Sequence, residues 1–97
     1  MPETHTGFSR TVARATAGQL QELASLAIDA SGVIMAALML ARDADAHRLA
    51  DTLYARGDVV ASEIDCRNVS RADLLALVEV QEQGATWLHD HRRQFLS

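Results

Sequence analysis

The stretch LASLAIDASGVIMAALMLA, from Leu23 to Ala41, is the densest apolar run in the chain, and Asp29 is its only charged residue. Apolar residues recur along it at intervals of three and four, which is the spacing of one face of an α-helix. The run therefore predicts a helix from about residue 17 to residue 42, around which the other segments pack. We expect its core-facing residues to be Leu23, Leu26, Ala30, Val33, Ile34, Ala37, Leu38 and Ala41.

A second apolar strip lies on roughly the opposite side of the same helix. Ile28, Met35 and Met39 form this strip, and Gly32 beside them is small enough to let another helix approach closely. A helix that is apolar on two sides needs neighbours on both, and a domain of this size buries only about two thirds of its surface. We therefore expect Ile28, Gly32, Met35 and Met39 to bind a partner, which is a second copy of the chain, another protein, or both.

The composition favours a small helical protein and argues against several classes of function. The chain has 97 residues, of which 48% are apolar, and its single proline is at position 2. These values favour one all-α domain, a bundle of three or four helices around the long apolar helix. The net charge of −4 argues against a general attraction to nucleic acid or anionic lipid. With one cysteine and no secretory signal pattern, we expect a cytoplasmic protein, which we predict to be a homodimer.

Capping residues indicate where the first long helix begins. Thr16 is followed three residues later by Gln19, which is the pattern of a capping box. The residues before it mix proline, glycine, threonine and charge. We therefore divide the chain into a flexible N-terminal tail over residues 1–15 and a single helical-bundle domain over residues 16–97, with a short helical turn in the tail as the alternative.

The middle of the chain leaves its helix boundaries open. Asp43 can cap a new helix, although one continuous helix over residues 17–56 is the alternative. Gly57 follows an arginine and precedes an aspartate, which predicts that a helix stops there and another begins. The second would be a short helix over residues 59–67, closed by Asn68 in the left-handed conformation.

The last helix has the clearest start. Ser70 followed by Asp73 resembles a capping box with aspartate in place of glutamate, and it predicts a helix beginning at Arg71. Gly84 either ends this helix or lies within one that continues to about Gln94.

The segment from Ala61 to Gly84 reads ASEI, then NVSRADLLALVE, then QG. It resembles the helix-turn-helix of winged bacterial repressors of the multiple-antibiotic-resistance-regulator type, in which a recognition helix precedes a β-wing. The resemblance implies a DNA-binding transcriptional regulator as the alternative function, with Ser70 and Arg71 contacting phosphate or base edges. The acidic residues after Arg71 are unfavourable to a polyanion, which favours a plain structural corner instead. By the same resemblance the wing would carry His91, Arg92 and Arg93.

The residues that could perform catalysis or bind a metal form no complete set. His89 and His91 are two residues apart, so on a helix they point to nearly opposite sides. Asp43, His47 and Asp51 lie in one row, which is more typical of a solvated face than of a metal site. We therefore expect no enzyme activity, no metal and no cofactor.

The sequence as a whole predicts a small protein-protein interaction module, namely an adaptor, a chaperone-like protein or a regulatory protein. It would act through the apolar strip of Ile28, Met35 and Met39. A membrane span is the rival interpretation of the apolar run, but Asp29 at its centre would cost roughly 3 kcal/mol in a bilayer. The docking hypothesis predicts that Met35→Glu weakens association much more than it unfolds the subunit.

Overall fold

The computed structural model describes residues 7–93, and within them the chain forms four α-helices and no strand. The helices are α1 (Gly7–Arg14), α2 (Ala17–Leu40), α3 (Ala44–Asp65) and α4 (Arg71–Asp90). The three long helices pack on one another, and α1 packs on α4. The prediction of an all-α bundle of three or four helices is confirmed, with four helices in the described residues.

The predicted N-terminal caps begin all three long helices. The hydroxyl of Thr16 accepts a hydrogen bond from the backbone N–H of Gln19, and the Gln19 side chain accepts one from the backbone N–H of Thr16, at 3.2 and 2.9 Å. Asp43 accepts two backbone N–H groups at the start of α3, at 2.8 and 3.2 Å. Ser70 accepts the N–H of Asp73 at the start of α4. Residues 17–56 therefore form two helices, with a break at residues 41–43.

The predicted stop at Gly57 is wrong, because α3 runs through this residue without interruption. None of the described glycines adopts a positive φ, so Gly57 does not act as a helix terminator. It lies at a contact between α3 and α2, where a Cβ would be 3.8 Å from the Cδ1 atom of Ile28. The tertiary contact with α2 supports a helix that the local sequence signal would have ended.

The left-handed residue that follows α3 is one position earlier in the chain than predicted. Arg67, and not Asn68, takes the left-handed conformation, with φ at 54°. The backbone N–H of Arg67 donates to the carbonyl of Ile64, and that of Asn68 donates to the carbonyl of Glu63, at 3.0 and 2.9 Å. These two bonds are the Schellman pattern, which satisfies carbonyls left free at a helix end.

Gly84 lies inside α4, which continues to Asp90. A Cβ at this position would be 3.0 Å from Cγ2 of Ile34 and 3.2 Å from Cδ1 of Leu38, both on α2. The glycine therefore allows α4 to approach α2 more closely than a larger residue would.

The N-terminal segment differs from the expected flexible tail, because residues 7–14 form the helix α1. Val12 is completely buried. The guanidinium of Arg71 donates to the backbone carbonyls of Val12 and Ala15, and so caps the C-terminal end of α1. An eight-residue helix is marginal in isolation. Its contacts with α4, which the local sequence does not reveal, account for the difference; residues 1–6 lie outside the described residues.

The face of α2 that points into the core agrees only in part with the predicted one. Leu38 is buried and Ile34 is half-buried, as expected. Leu26, Ala30 and Val33, which were expected to face the core, are exposed. The buried residues of α2, which we call the inner face, are Leu20, Ala24, Ala27, Ser31 and Leu38.

A buried polar network accounts for this orientation. The side-chain amide of Gln81 on α4 donates to the backbone carbonyl of Ala27 and to the hydroxyl of Ser31, both at 2.6 Å. The Ser31 hydroxyl donates to the same carbonyl at 2.8 Å. A buried amide that lacks such partners would be costly, so α2 presents the face that supplies them.

Candidate interaction surface

The outer side of α2 carries a row of apolar side chains that the chain itself does not cover. Leu26, Val33 and Leu40 occur at intervals of seven residues and are 59%, 73% and 77% exposed. Ala30 between them is also exposed, while Leu23 and Ala37 are half-buried. We call this row the outer seam; it consists of Leu23, Leu26, Ala30, Val33, Ala37 and Leu40.

The outer seam has the spacing of a coiled-coil contact surface. Its members are separated by three, four, three, four and three residues, which is a strict heptad pattern over two and a half repeats. Three positions hold Leu26, Val33 and Leu40, and the alternate positions include Ala30 and Ala37. The row therefore presents large and small side chains in turn to whatever binds it.

An apolar groove continues the outer seam from α2 onto α4. Its volume is about 360 Å³, and Leu26 and Ala30 of the seam form one wall. Val78 and Ala85 of α4 lie on the other wall, and Phe8 of α1 also lines the groove. The groove enlarges the apolar surface that a partner can bury at this side of the molecule.

The charged residues near the outer seam are arranged unevenly along α2. Glu22 lies near its N-terminal end and Arg42 just beyond its C-terminal end, and both are exposed. Asp29 lies near the middle and is exposed as well. Because Asp29 remains in water, it carries no penalty for burial in the subunit.

The predicted partner-binding residues do not lie on the outer seam. Ile28 and Met35 are half-buried and pack against the core, where α2 meets α3. Together with Gly32 they line a smaller groove of about 280 Å³ that Tyr54 also borders. Met39 is 55% exposed and lies outside that lining. The structure thus brings Ile28, Gly32 and Met35 together, and it leaves Met39 apart from them.

Three of the four residues expected to contact DNA form hydrogen bonds within the chain. Arg71 binds the end of α1, and the backbone N–H of Ser70 donates to the carboxyl of Glu63 at 2.8 Å. Arg92 donates to the backbone carbonyl of His89 at 2.8 Å, and Arg93 is exposed. The resemblance to winged repressors places a β-wing after the recognition helix. Residues 86–93 contain no strand, so the predicted wing is wrong over this range.

Two carboxyl groups meet at the corner between α3 and α4. The hydrogen bond to the Asp73 side chain, and to a lesser degree burial, raise the pKa of the Glu63 carboxyl. The backbone N–H of Ser70 opposes this effect by favouring the charged form. This corner presents acidic groups beside Arg71, which makes it unfavourable for phosphate.

The candidate metal-ligating residues have structural partners instead. Asp43 caps α3, and His47 Nε2 donates to the backbone carbonyl of Ala41 at 2.6 Å. His91 stacks on Trp87 with 4.0 Å between the ring centres. Within the part of the chain that the structure describes, no three His, Cys, Asp or Glu residues come together as a metal site.

The length and apolar composition of α2 would also allow it to cross a membrane. Among the described helices, α2 is the one that is both long enough and apolar enough to span a bilayer. Only about 22% of its apolar 18-residue segment is buried in the fold. Its apolar surface is therefore available to a partner of some kind.

No protein-family model, no curated protein and no solved structure matches this chain.

Proposed function

We propose that this protein is a small helical interaction module that self-associates through the outer seam of α2 and acts as an adaptor or regulatory protein. The observation that carries the proposal is the exposure of Leu26, Val33 and Leu40 in one row. Burial of apolar surface contributes about 25 cal/mol per Å². A contiguous exposed apolar patch on a small protein is typical of an interaction site.

The alternative of DNA binding has weaker support. Arg71 is held by α1, and the neighbouring Glu63 and Asp73 present carboxyl groups. The net charge of the chain is −4. A duplex should therefore show no salt-dependent mobility shift with this protein, because such binding depends on neutralising phosphates with basic residues.

The substitution Val33→Glu tests the proposed function. Val33 is 73% exposed, so the change should leave the stability of the subunit within about 0.5 kcal/mol. It would bring two carboxylates into the centre of the proposed interface, which costs several kcal/mol. We expect sedimentation equilibrium to show a dimer for the original protein and a folded monomer for this variant, with unchanged helicity by circular dichroism.

Val59→Glu on α3 is the matched control. Val59 is 48% exposed and lies on another helix, so the same substitution should leave the dimer intact. A monomeric original protein, or an unaltered dimer in Val33→Glu, would contradict the proposal. If the protein floats with phosphatidylcholine vesicles and dimerises only in detergent, the outer seam faces lipid and the proposal is wrong.

A further inference from the structure

We infer that the outer seam binds the outer seam of a second copy in antiparallel orientation, about a two-fold axis that passes between Ser31 and Gly32. The inference rests on the proposed function and specifies its partner and geometry. A two-fold dimer uses the same surface patch on both subunits, so the seam has to be complementary to itself.

The sizes of the side chains satisfy this requirement in one orientation. In an antiparallel pair centred between residues 31 and 32, position n faces position 63 minus n of the second copy. Ala30 then faces Val33, and Ala37 faces Leu26, so each alanine is matched with a larger residue. Leu23 faces Leu40 at both ends. The four inner layers therefore have similar widths and can pack at the density of a protein interior, and the wider leucine layers lie at the two ends.

A parallel pair lacks this match. Each residue would face its own copy, so Ala30 and Ala37 would form narrow layers between the wide layers of Leu26, Val33 and Leu40. The wide layers would set the distance between the helices and leave gaps at the alanines. Unfilled space of this kind loses dispersion contacts.

The charges at the ends of α2 favour the same orientation. In the antiparallel pair, the N-terminal end of each α2, which carries Glu22, lies beside the C-terminal end of the second copy, which Arg42 follows. In the parallel pair, both Glu22 residues would lie at one end of the pair and both Arg42 residues at the other. Both residues are exposed. The helix dipoles also attract when the helices run antiparallel.

Cysteine cross-linking distinguishes the two orientations. The experiment uses the full chain with Cys66→Ser, which removes the exposed native thiol. Leu26→Cys and Ala37→Cys are made as separate proteins, mixed and oxidised. One of them carries an affinity tag, so that the mixed dimer is distinguished by its mobility in a non-reducing gel. Positions 26 and 37 face each other in the antiparallel pair, whereas each is about 16 Å along the axis from its own copy.

Disulfides require Cα atoms within about 7 Å. We therefore expect a disulfide-linked dimer in the oxidised mixture and none from either variant alone. Efficient cross-linking of each variant with itself would overturn the inference and indicate a parallel pair. No cross-link in any sample, with a dimer still present by light scattering, would also overturn it while leaving self-association intact. A protein that is monomeric before oxidation would instead refute the proposed function.

Discussion

The inner and outer faces of α2 differ in a way that reverses the usual relation between size and burial. The inner face includes the small residues Ala24, Ala27 and Ser31, whereas the outer seam exposes Leu26 and Val33, among other apolar residues. Large aliphatic side chains gain more from leaving water than alanine does. In this subunit, the distance to which α4 can approach α2 therefore decides which side of α2 is buried. The large apolar side chains that remain exposed are available to bind a partner.

The close approach has a specific physical cause. Gln81 must reach the carbonyl of Ala27 and the hydroxyl of Ser31, and Gly84 one turn further leaves room for Ile34 and Leu38. Large side chains on the inner face would hold the helices apart and leave the amide without partners. The small inner residues and the exposed large ones are thus two consequences of one packing arrangement.

The largest expected difference between the faces comes from truncating a leucine on each. Leu38 is completely buried, so Leu38→Ala should lower the free energy of unfolding by about 2–5 kcal/mol through lost burial and a cavity. Leu40 is 77% exposed, so Leu40→Ala should change it by less than about 0.5 kcal/mol. Urea denaturation in the monomeric Val33→Glu background measures both, and equal losses would show that the faces are not distinct.

A smaller difference, of opposite sign, is expected from adding one methyl group at two glycines. At Gly84 the new Cβ would press on Ile34 and Leu38 of α2, so Gly84→Ala should destabilise the fold by about 1–3 kcal/mol. At Gly32 the new Cβ would have no atom of a packing partner within 4 Å, so Gly32→Ala should stabilise α2 by about 0.5–1 kcal/mol. Thermal unfolding of the two variants provides the measurement.

The Gly32 variant also separates the two candidate docking faces. Gly32 lies outside the outer seam, so Gly32→Ala should leave the dimer affinity unchanged by sedimentation equilibrium. If the strip of Ile28, Met35 and Met39 were the interface, the added methyl would interfere with a close helix contact. A loss of dimer affinity in this variant would therefore support the strip of Ile28, Met35 and Met39 as the interface and would count against the outer seam.

The helix starts could be predicted from the sequence because their causes are local. Thr16, Asp43 and Ser70 each cap the helix that follows them through backbone groups two or three residues away. The ends were harder, since α3 continues through Gly57 and stops only after Asp65. That outcome depends on the contact of α3 with Ile28, which is separated from Gly57 by almost thirty residues in sequence.

The orientation of α2 could not be predicted from periodicity, because two rows along it follow the same spacing. One row is the outer seam. The other contains the inner face together with Ile34 and Ala41, and it also advances by three and four residues. Periodicity identifies each row as one side of a helix but does not say which side is buried. The choice is made by Gln81, a polar residue more than forty positions away.

The partner-binding strip predicted from the sequence differs from the outer seam for the same reason. Periodicity alone assigns Leu26 and Val33 to the core, which leaves the strip of Ile28, Met35 and Met39 as the surface available for docking. In the structure Met35 packs against the core, and Met35→Glu would therefore perturb the fold as well as any interface. The strict heptad from Leu23 to Leu40 was the signal present in the sequence that could have identified the outer seam.

The smallest expected effect concerns the one acid beside the centre of the outer seam. In the antiparallel dimer both Asp29 carboxylates lie on the same flank, about 7.5 Å apart along the axis, whereas in a parallel dimer they lie on opposite flanks. Asp29→Asn should therefore tighten an antiparallel dimer by about 0.5 kcal/mol, roughly twofold, at low ionic strength. The gain should vanish at 1 M salt, where charges are screened within about 3 Å. Asp51→Asn removes the same charge from α3 and should change nothing in either buffer. Equal affinities for the Asp29 variant and this control, measured by sedimentation at low salt, would count against the antiparallel arrangement.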